Sequence, residues 1–156
     1  MNTPVAQALT FAQIVAAIAS PAFHDGIGYM ADAMTGEQGD LFPSEQQTEI
    51  GQWIGHVILN RLDDPRWTGT VREIVQSGFY GHAKANDHPY LQGRMANVAI
   101  GVIVDRAYGG QDVTGGCYWM YSLHDLQRWP GYRFRASKCW VSGEYGLCFF
   151  KEPPPS

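Results

Sequence analysis

Apolar positions recur along this chain first with the period of a helix and only near its end with the period of a strand. Phe11, Ile14, Val15 and Ile18 share one helical stripe behind a Thr10/Gln13 capping-box pattern, and Ser20-Pro21 stops it, so a short first helix is predicted there. A second helix is predicted from about Asp25 to near Gly36, with Ile27, Met30, Ala31 and Met34 on its apolar side. The clearest amphipathic pattern is "TEIGQWIGHVILNRL", where Ile50, Trp53, Ile54, Val57, Ile58 and Leu62 make the stripe and His56, off it, is expected in solvent.

Thr70 and Glu73 form a second capping box ahead of Val71, Ile74 and Val75, which predicts a short helix ended by Gly78. "FYGHAKANDHPYLQG" has no regular period and reads as a loop exposing Phe79, Tyr80, His82, His88 and Tyr90. From Leu91 a long helix continues through Met95, Val98, Ala99, Val102 and Ile103. After Gly110 the pattern changes to strands: "GGCYWMYS" is one, and "KCWVSGEYGLCFF" reads as two joined by a tight Ser-Gly-Glu turn. Alternation along the first strand sends either Tyr118 and Met120 or Trp119 and Tyr121 to the core. The predicted fold class is α+β, a helical N-terminal part followed by a small C-terminal antiparallel sheet, with residues 151–156 a frayed tail.

A length of 156 residues fits one domain spanning 1–156 with a sizeable core. The 17% of charged and 13% of aromatic residues argue against disorder and for aromatic-lined surfaces. Charge is uneven within a net −4: residues 1–60 hold six acids and no Lys or Arg, and residues 61–156 hold eleven basic residues and nine acids. No basic patch or stripe is visible, which sets nucleic acid aside as a partner. Cys117, Cys139 and Cys148 leave room for one bridge, but the odd count does not read as a secreted disulfide framework, and reduced, buried thiols are the expectation. "ALTFAQIVAAIASPAF" lacks the charged start of a signal peptide and is too short and polar for a membrane span, so a cytoplasmic chain with no membrane insertion is expected.

Among candidate chemistries, a Cys–His peptidase fails on spacing, since Cys117 is followed only by His124, and Cys139 and Cys148 by no histidine. His82, Asp87 and His88 lack a further ligand in a recognisable metal motif, so no metal is expected. No G-x-S-x-G elbow, phosphate loop or dinucleotide fingerprint is present. Carboxylates remain. Glu37, in "MTGEQGD", falls at a predicted helix C-terminus, where partial negative charge disfavours an ionised side chain; shielded from water, such a group suits a general acid. A solvated surface acid is the plainer reading. Glycoside cleavage by two carboxylates would need a partner, for which Asp40, Glu45 and Glu49 are candidates, although Glu49 near a helix start is explained by the helix dipole alone.

The ordered segments "MTGEQGD", "TEIGQWIGHVILNRL", "TVREIVQSGFYG", "TGGCYWMYS" and "YGLCFF" resemble the SleB-type cell-wall hydrolases, the spore-cortex-lytic enzymes and their relatives, over about residues 29–150. "VILNR" (Val57 to Arg61) and "GGCYWMY" (Gly115 to Tyr121) carry most of the likeness. The resemblance implies a lysozyme-like catalytic domain that cuts the glycan strand of peptidoglycan as a lytic transglycosylase. Such an enzyme needs one catalytic Glu and no cofactor, and is expected here as a monomer whose partner is the glycan strand. The resemblance puts the acid/base on Glu37 and substrate contacts on Gly115, Gly116, Tyr118, Tyr121 and Phe79, with the neighbouring Tyr80 joining them. Here the family's Ala-Arg-Gly-Glu segment is Gln38-Gly39-Asp40 with an added "LFPSEQQ", and the late His of the closing strand is absent. Those departures leave open a hydrolysing muramidase with Asp40, Glu45 or Glu49 as second carboxylate. A catalytically inactive, glycan-binding derivative is the contrasting expectation, against which the retained Glu37 speaks. A small wall hydrolase expected in the cytoplasm, without signal peptide, binding module or spore-targeting domain, looks like a phage endolysin, cytoplasmic until released to the cell wall; a virion-associated or prophage enzyme would look alike.

Overall fold

The computed structural model describes residues 21–156 together with Ala12, Ala16 and Ala19; the apolar stripe predicted for a first helix, Phe11, Ile14, Val15 and Ile18, lies outside the described residues. In chain order the elements are α1 (Pro21–Gln38), α2 (Ser44–Leu62), α3 (Val71–Gly78), a 3-10 helix (Tyr80–Asp87), α4 (Pro89–Ala107), β1 (Trp119–Ser122), a one-turn α5 (Leu123–Leu126), a second 3-10 helix (Tyr132–Arg135), β2 (Lys138–Ser142) and β3 (Tyr145–Phe150). The fold is mixed α+β, helices first and a small sheet last.

The α2 helix is the centre of the molecule. Ile50, Ile54, Val57 and Ile58 are fully buried, packed with Ile27, Met30 and Met34 of α1 and Met95, Ala99 and Val102 of α4. Burial of each such aliphatic side chain is worth about 1.5–3 kcal/mol, so the stripe read from the sequence is the main source of helix cohesion. Leu62, at the frayed end of the stripe, stays exposed. Thr70 caps α3, the Glu73 N–H donating to Thr70 Oγ1 at 3.3 Å, which is the N-cap half of the predicted capping box.

The sheet is antiparallel in the order β1-β3-β2, with β3 in the middle. Leu147 and Phe149 of β3 face the helices, while Cys148 and Phe150 face a smaller cluster with Leu126 and Tyr132. Trp53 of α2 meets Trp140 and Phe149 edge-on, with ring centroids 5.3 and 5.4 Å away, and so docks the sheet on the central helix. Both faces of β1 are covered, Met120 by the main core and Trp119 and Tyr121 by the smaller cluster, because residues 123–135 fold back over the outer face. The choice between two faces set out above therefore does not arise.

Several expectations need correction. The α1 helix runs two residues past Gly36 and stops at Gly39, whose φ of +52° and N–H bond to the Thr35 carbonyl close the helix end. The stretch read as a loop is largely a 3-10 helix, and Phe79 before it is 1% exposed. Pro89, whose missing N–H costs nothing at a first helical position, opens α4 two residues earlier than predicted. His56 is 2% exposed, because residues 112–117 close over the side of α2 that the helical pattern alone leaves open. It sits there with Nδ1 accepting from Arg106 at 3.1 Å, and burial lowers its pKa, so it is neutral.

The cysteines are not all reduced: Cys139 and Cys148 form a disulfide, and Cys117 alone is free and buried. The physical reason is register. A two-residue turn, Gly143-Glu144, with Gly143 at φ +61°, places Cys139 and Cys148 directly opposite one another on β2 and β3. No helix among the described residues is long and apolar enough to cross a membrane.

Candidate functional site

Glu37 is the penultimate residue of α1, and its side chain reaches toward the 3-10 helix at Tyr80–Asp87. The two elements touch through their backbones. A Cβ on Gly36 would lie 1.7 Å from the Gly81 carbonyl oxygen, and one on Gly81 would lie 3.0 Å from the Glu37 carboxyl carbon. Glycine at both positions permits an approach that sets the Gly81 N–H 3.1 Å from Glu37 Oε1. Among the described residues no donor meets the other carboxyl oxygen.

Burial raises the Glu37 pKa above the usual carboxyl value, the Gly81 N–H opposes that rise, Asp125 adds to it, and His82 and Arg61 oppose it. His82 is oriented by donating from Nδ1 to the Phe79 carbonyl at 2.7 Å, since a carbonyl can only accept. Arg61 comes from the last turn of α2. Its guanidinium lies 5.0 Å from the Phe79 ring and 5.1 Å from the Trp67 ring, and its Nε donates to the Tyr118 carbonyl at 2.8 Å. Beside it Asn60 donates to Asp112 at 2.8 Å and to the Cys117 carbonyl at 2.9 Å. Asp112 in turn accepts from the N–H groups of Thr114 and Gly116, so Asn60 and Arg61 tie the segment leading into β1 to the central helix.

Glu37 lines a cleft of about 90 Å³ between Leu41 and Phe42 on one side and Ser122, His124, Glu144 and Tyr145 on the other. The extra "LFPSEQQ" residues thus supply one wall through Leu41 and Phe42. Neither Asp40 nor Glu49 reaches this cleft. Asp40 is 2.7 Å from His88 Nδ1, beside a different hollow with Asp87 and Arg94, and Glu49 is 2.7 Å from Lys138 Nζ. Glu45 is exposed in the first turn of α2.

The residues expected to touch substrate are spread around the cleft rather than along it. Phe79 is buried beneath Arg61 and presents no exposed surface to the cleft. Tyr80 is exposed, next to Gly81. Gly115 and Gly116 hold left-handed turn positions, and the Gly116 N–H is spent on Asp112. Tyr118 stacks on Trp67 at 5.6 Å with Arg66 4.6 Å from its ring, on the Arg61 side of Glu37. Tyr121 packs edge-on against Trp129 at 5.2 Å, its hydroxyl pKa raised by burial.

Sequence reasoning missed Gly81, Ser122, His124, Asp125 and Glu144. One signal was present: Ser122 and Asp125 form a capping box, the Asp125 N–H donating to Ser122 Oγ at 3.1 Å. Glu144 was visible only as a turn residue. No group of three His, Cys, Asp or Glu side chains suited to a metal ion occurs among the described residues. Comparison of the chain with protein-family models, with curated proteins and with solved structures returned no match.

Proposed function

We propose that this chain cleaves the bond between N-acetylmuramic acid and N-acetylglucosamine in peptidoglycan as a lytic transglycosylase, with Glu37 as acid and then base. The observation that carries the reading is the state of Glu37: its pKa is raised by burial, one oxygen is anchored on the Gly81 N–H, and it lines a cleft. Burial, the largest influence, and Asp125 favour the protonated form, against Gly81, His82 and Arg61, which favour the anion; the net upward direction suits a group that must first give a proton. Glu37 gives its proton to the glycosidic oxygen as the bond to muramic acid C1 breaks. As carboxylate it then takes the proton of the same sugar's O6 hydroxyl, while O6 bonds to C1; a 1,6-anhydro end forms and no water is consumed. The resemblance to SleB-type hydrolases supports the same substrate.

A second reading has its own observation. Glu144 faces the same cleft as Glu37, and a carboxylate there would activate water for a hydrolysing muramidase. Asp40 and Glu49 do not serve that role, each lying outside the cleft.

Mass spectrometry of fragments released from purified peptidoglycan separates these readings. Anhydro ends from the wild type that vanish with Glu37→Gln are the expected result. Reducing ends, one water heavier and lost in both Glu37→Gln and Glu144→Gln, would mean the muramidase. Release undiminished in Glu37→Gln would put the acid elsewhere.

A further inference from the structure

The cleft at Glu37 does not end at the β2–β3 turn. Leu123 and Glu144 line it and also line a larger hollow of about 380 Å³, whose far side holds Trp129, Arg133 and Phe134. The two hollows share Leu123 and Glu144 as lining residues and so adjoin, the inner one at Glu37 and the outer one at Phe134, as two halves of one indented surface.

Its outer half is firmly built. Tyr132 is buried, stacked on Phe150 at 4.1 Å, and its hydroxyl donates to the Glu152 carbonyl at 2.6 Å. That anchor fixes the second 3-10 helix, from which Phe134 stands 90% exposed, the most exposed of the large apolar side chains among the described residues. The charge there runs against the rest of the chain and corrects the expectation that no basic patch is present. Residues 126–138 carry Arg128, Arg133, Arg135 and Lys138 and no acid, within a net charge of −4. Arg128 and Lys138 are paired with Asp125 and Glu49, whereas Arg133 meets no carboxylate among the described residues. An exposed ring beside an unpaired guanidinium, adjoining the acid's cleft, fits an anionic peptide carried by the sugar chain.

We infer that the outer half of this groove binds the peptide stem of the muramic acid residue, with Phe134 covering its apolar part and Arg133 pairing with a stem carboxylate. The inference rests on the peptidoglycan reading above. The stem branches from the sugar whose C1 reacts, so it leaves the cleft sideways while Glu37 works on the glycan.

The test is a calorimetric titration of the full chain with the disaccharide N-acetylglucosaminyl-N-acetylmuramic acid, with and without its stem tetrapeptide; this ligand lacks the bond to be cut. The stem-bearing form should bind about fivefold tighter, the upper end for one exposed ion pair. That preference should disappear in Arg133→Ala/Phe134→Ala with the melting temperature kept. Equal affinity for both ligands, no binding of either, or a preference that survives in the double variant overturns the inference. So does tighter binding to anionic lipid vesicles than to the stem-bearing disaccharide, which would make the patch a membrane surface. Stem preference in a chain that never cleaves peptidoglycan keeps the subsite and sinks the enzymatic reading; cleavage without stem preference does the reverse.

Discussion

The Glu37 carboxyl lies between burial, which favours its neutral form, and the Gly81 N–H, His82 and Arg61, which favour its anion; the net is a raised pKa. A raised folded-state value has a definite sign in stability. The contribution is fully present below the ordinary carboxyl value of 4.5 and is lost as pH rises through the folded value, because the shielded carboxyl must then ionise. Glu37→Gln removes that loss. In urea unfolding at about pH 4 and about pH 7, the stability of Glu37→Gln relative to wild type should therefore be greater at the higher pH. A difference that is the same at both, or larger in acid, would mean that Glu37 is not shielded in the folded chain. The activity of the wild type should likewise fall on the alkaline side at a pH above that of an ordinary glutamate.

Between elements, the contact that positions the acid is the Gly36–Gly81 crossing of α1 with the first 3-10 helix. Gly36→Ala would place a methyl group against a backbone carbonyl, which has no side-chain freedom to yield. Overpacking of this kind costs about 1–3 kcal/mol. Cleavage should fall further than that, since separating the helices also removes the Gly81 N–H from Glu37; a variant with wild-type melting and wild-type cleavage would refute the close crossing. At the other junction, Asn60→Ala leaves Asp112 and the Cys117 carbonyl short of a donor. A loss of about 1–3 kcal/mol in denaturant unfolding is expected. What the sequence made legible follows the same division. The stripes of α1, α2 and α4 and the hairpin turn depend on local spacing and could be read directly, and Glu37 was placed because a helix end is a local event. His56, the Cys139–Cys148 pair and Glu144 depend on which distant segment covers a helix face, which residues oppose across a hairpin, and where that hairpin docks. None of these is written in the period of the chain.

Across the whole molecule, charge and covalent structure set two further expectations. Net charge of −4 offers no long-range attraction to anionic wall polymers, and the basic stretch at 126–138 is local. Cleavage rates should therefore change little between low and physiological salt; a steep fall would point to steering by many charges. The Cys139–Cys148 bridge closes a short loop, and by chain entropy its reduction should cost about 2–3 kcal/mol, read as a lower melting temperature in the presence of a thiol. Unchanged melting would show that the hairpin is held by its pairing and by Trp140 and Phe149 alone. The docking of the sheet through Trp53 also has an optical consequence. Trp53 and Trp140, 9% and 5% exposed, emit from the seam between α2 and the sheet, whereas Trp129 emits from the wall of the outer groove. With Trp67 and Trp119 changed to Phe, intrinsic fluorescence would carry two signals, a red shift when the sheet leaves the helix and a quench or enhancement when something enters the groove.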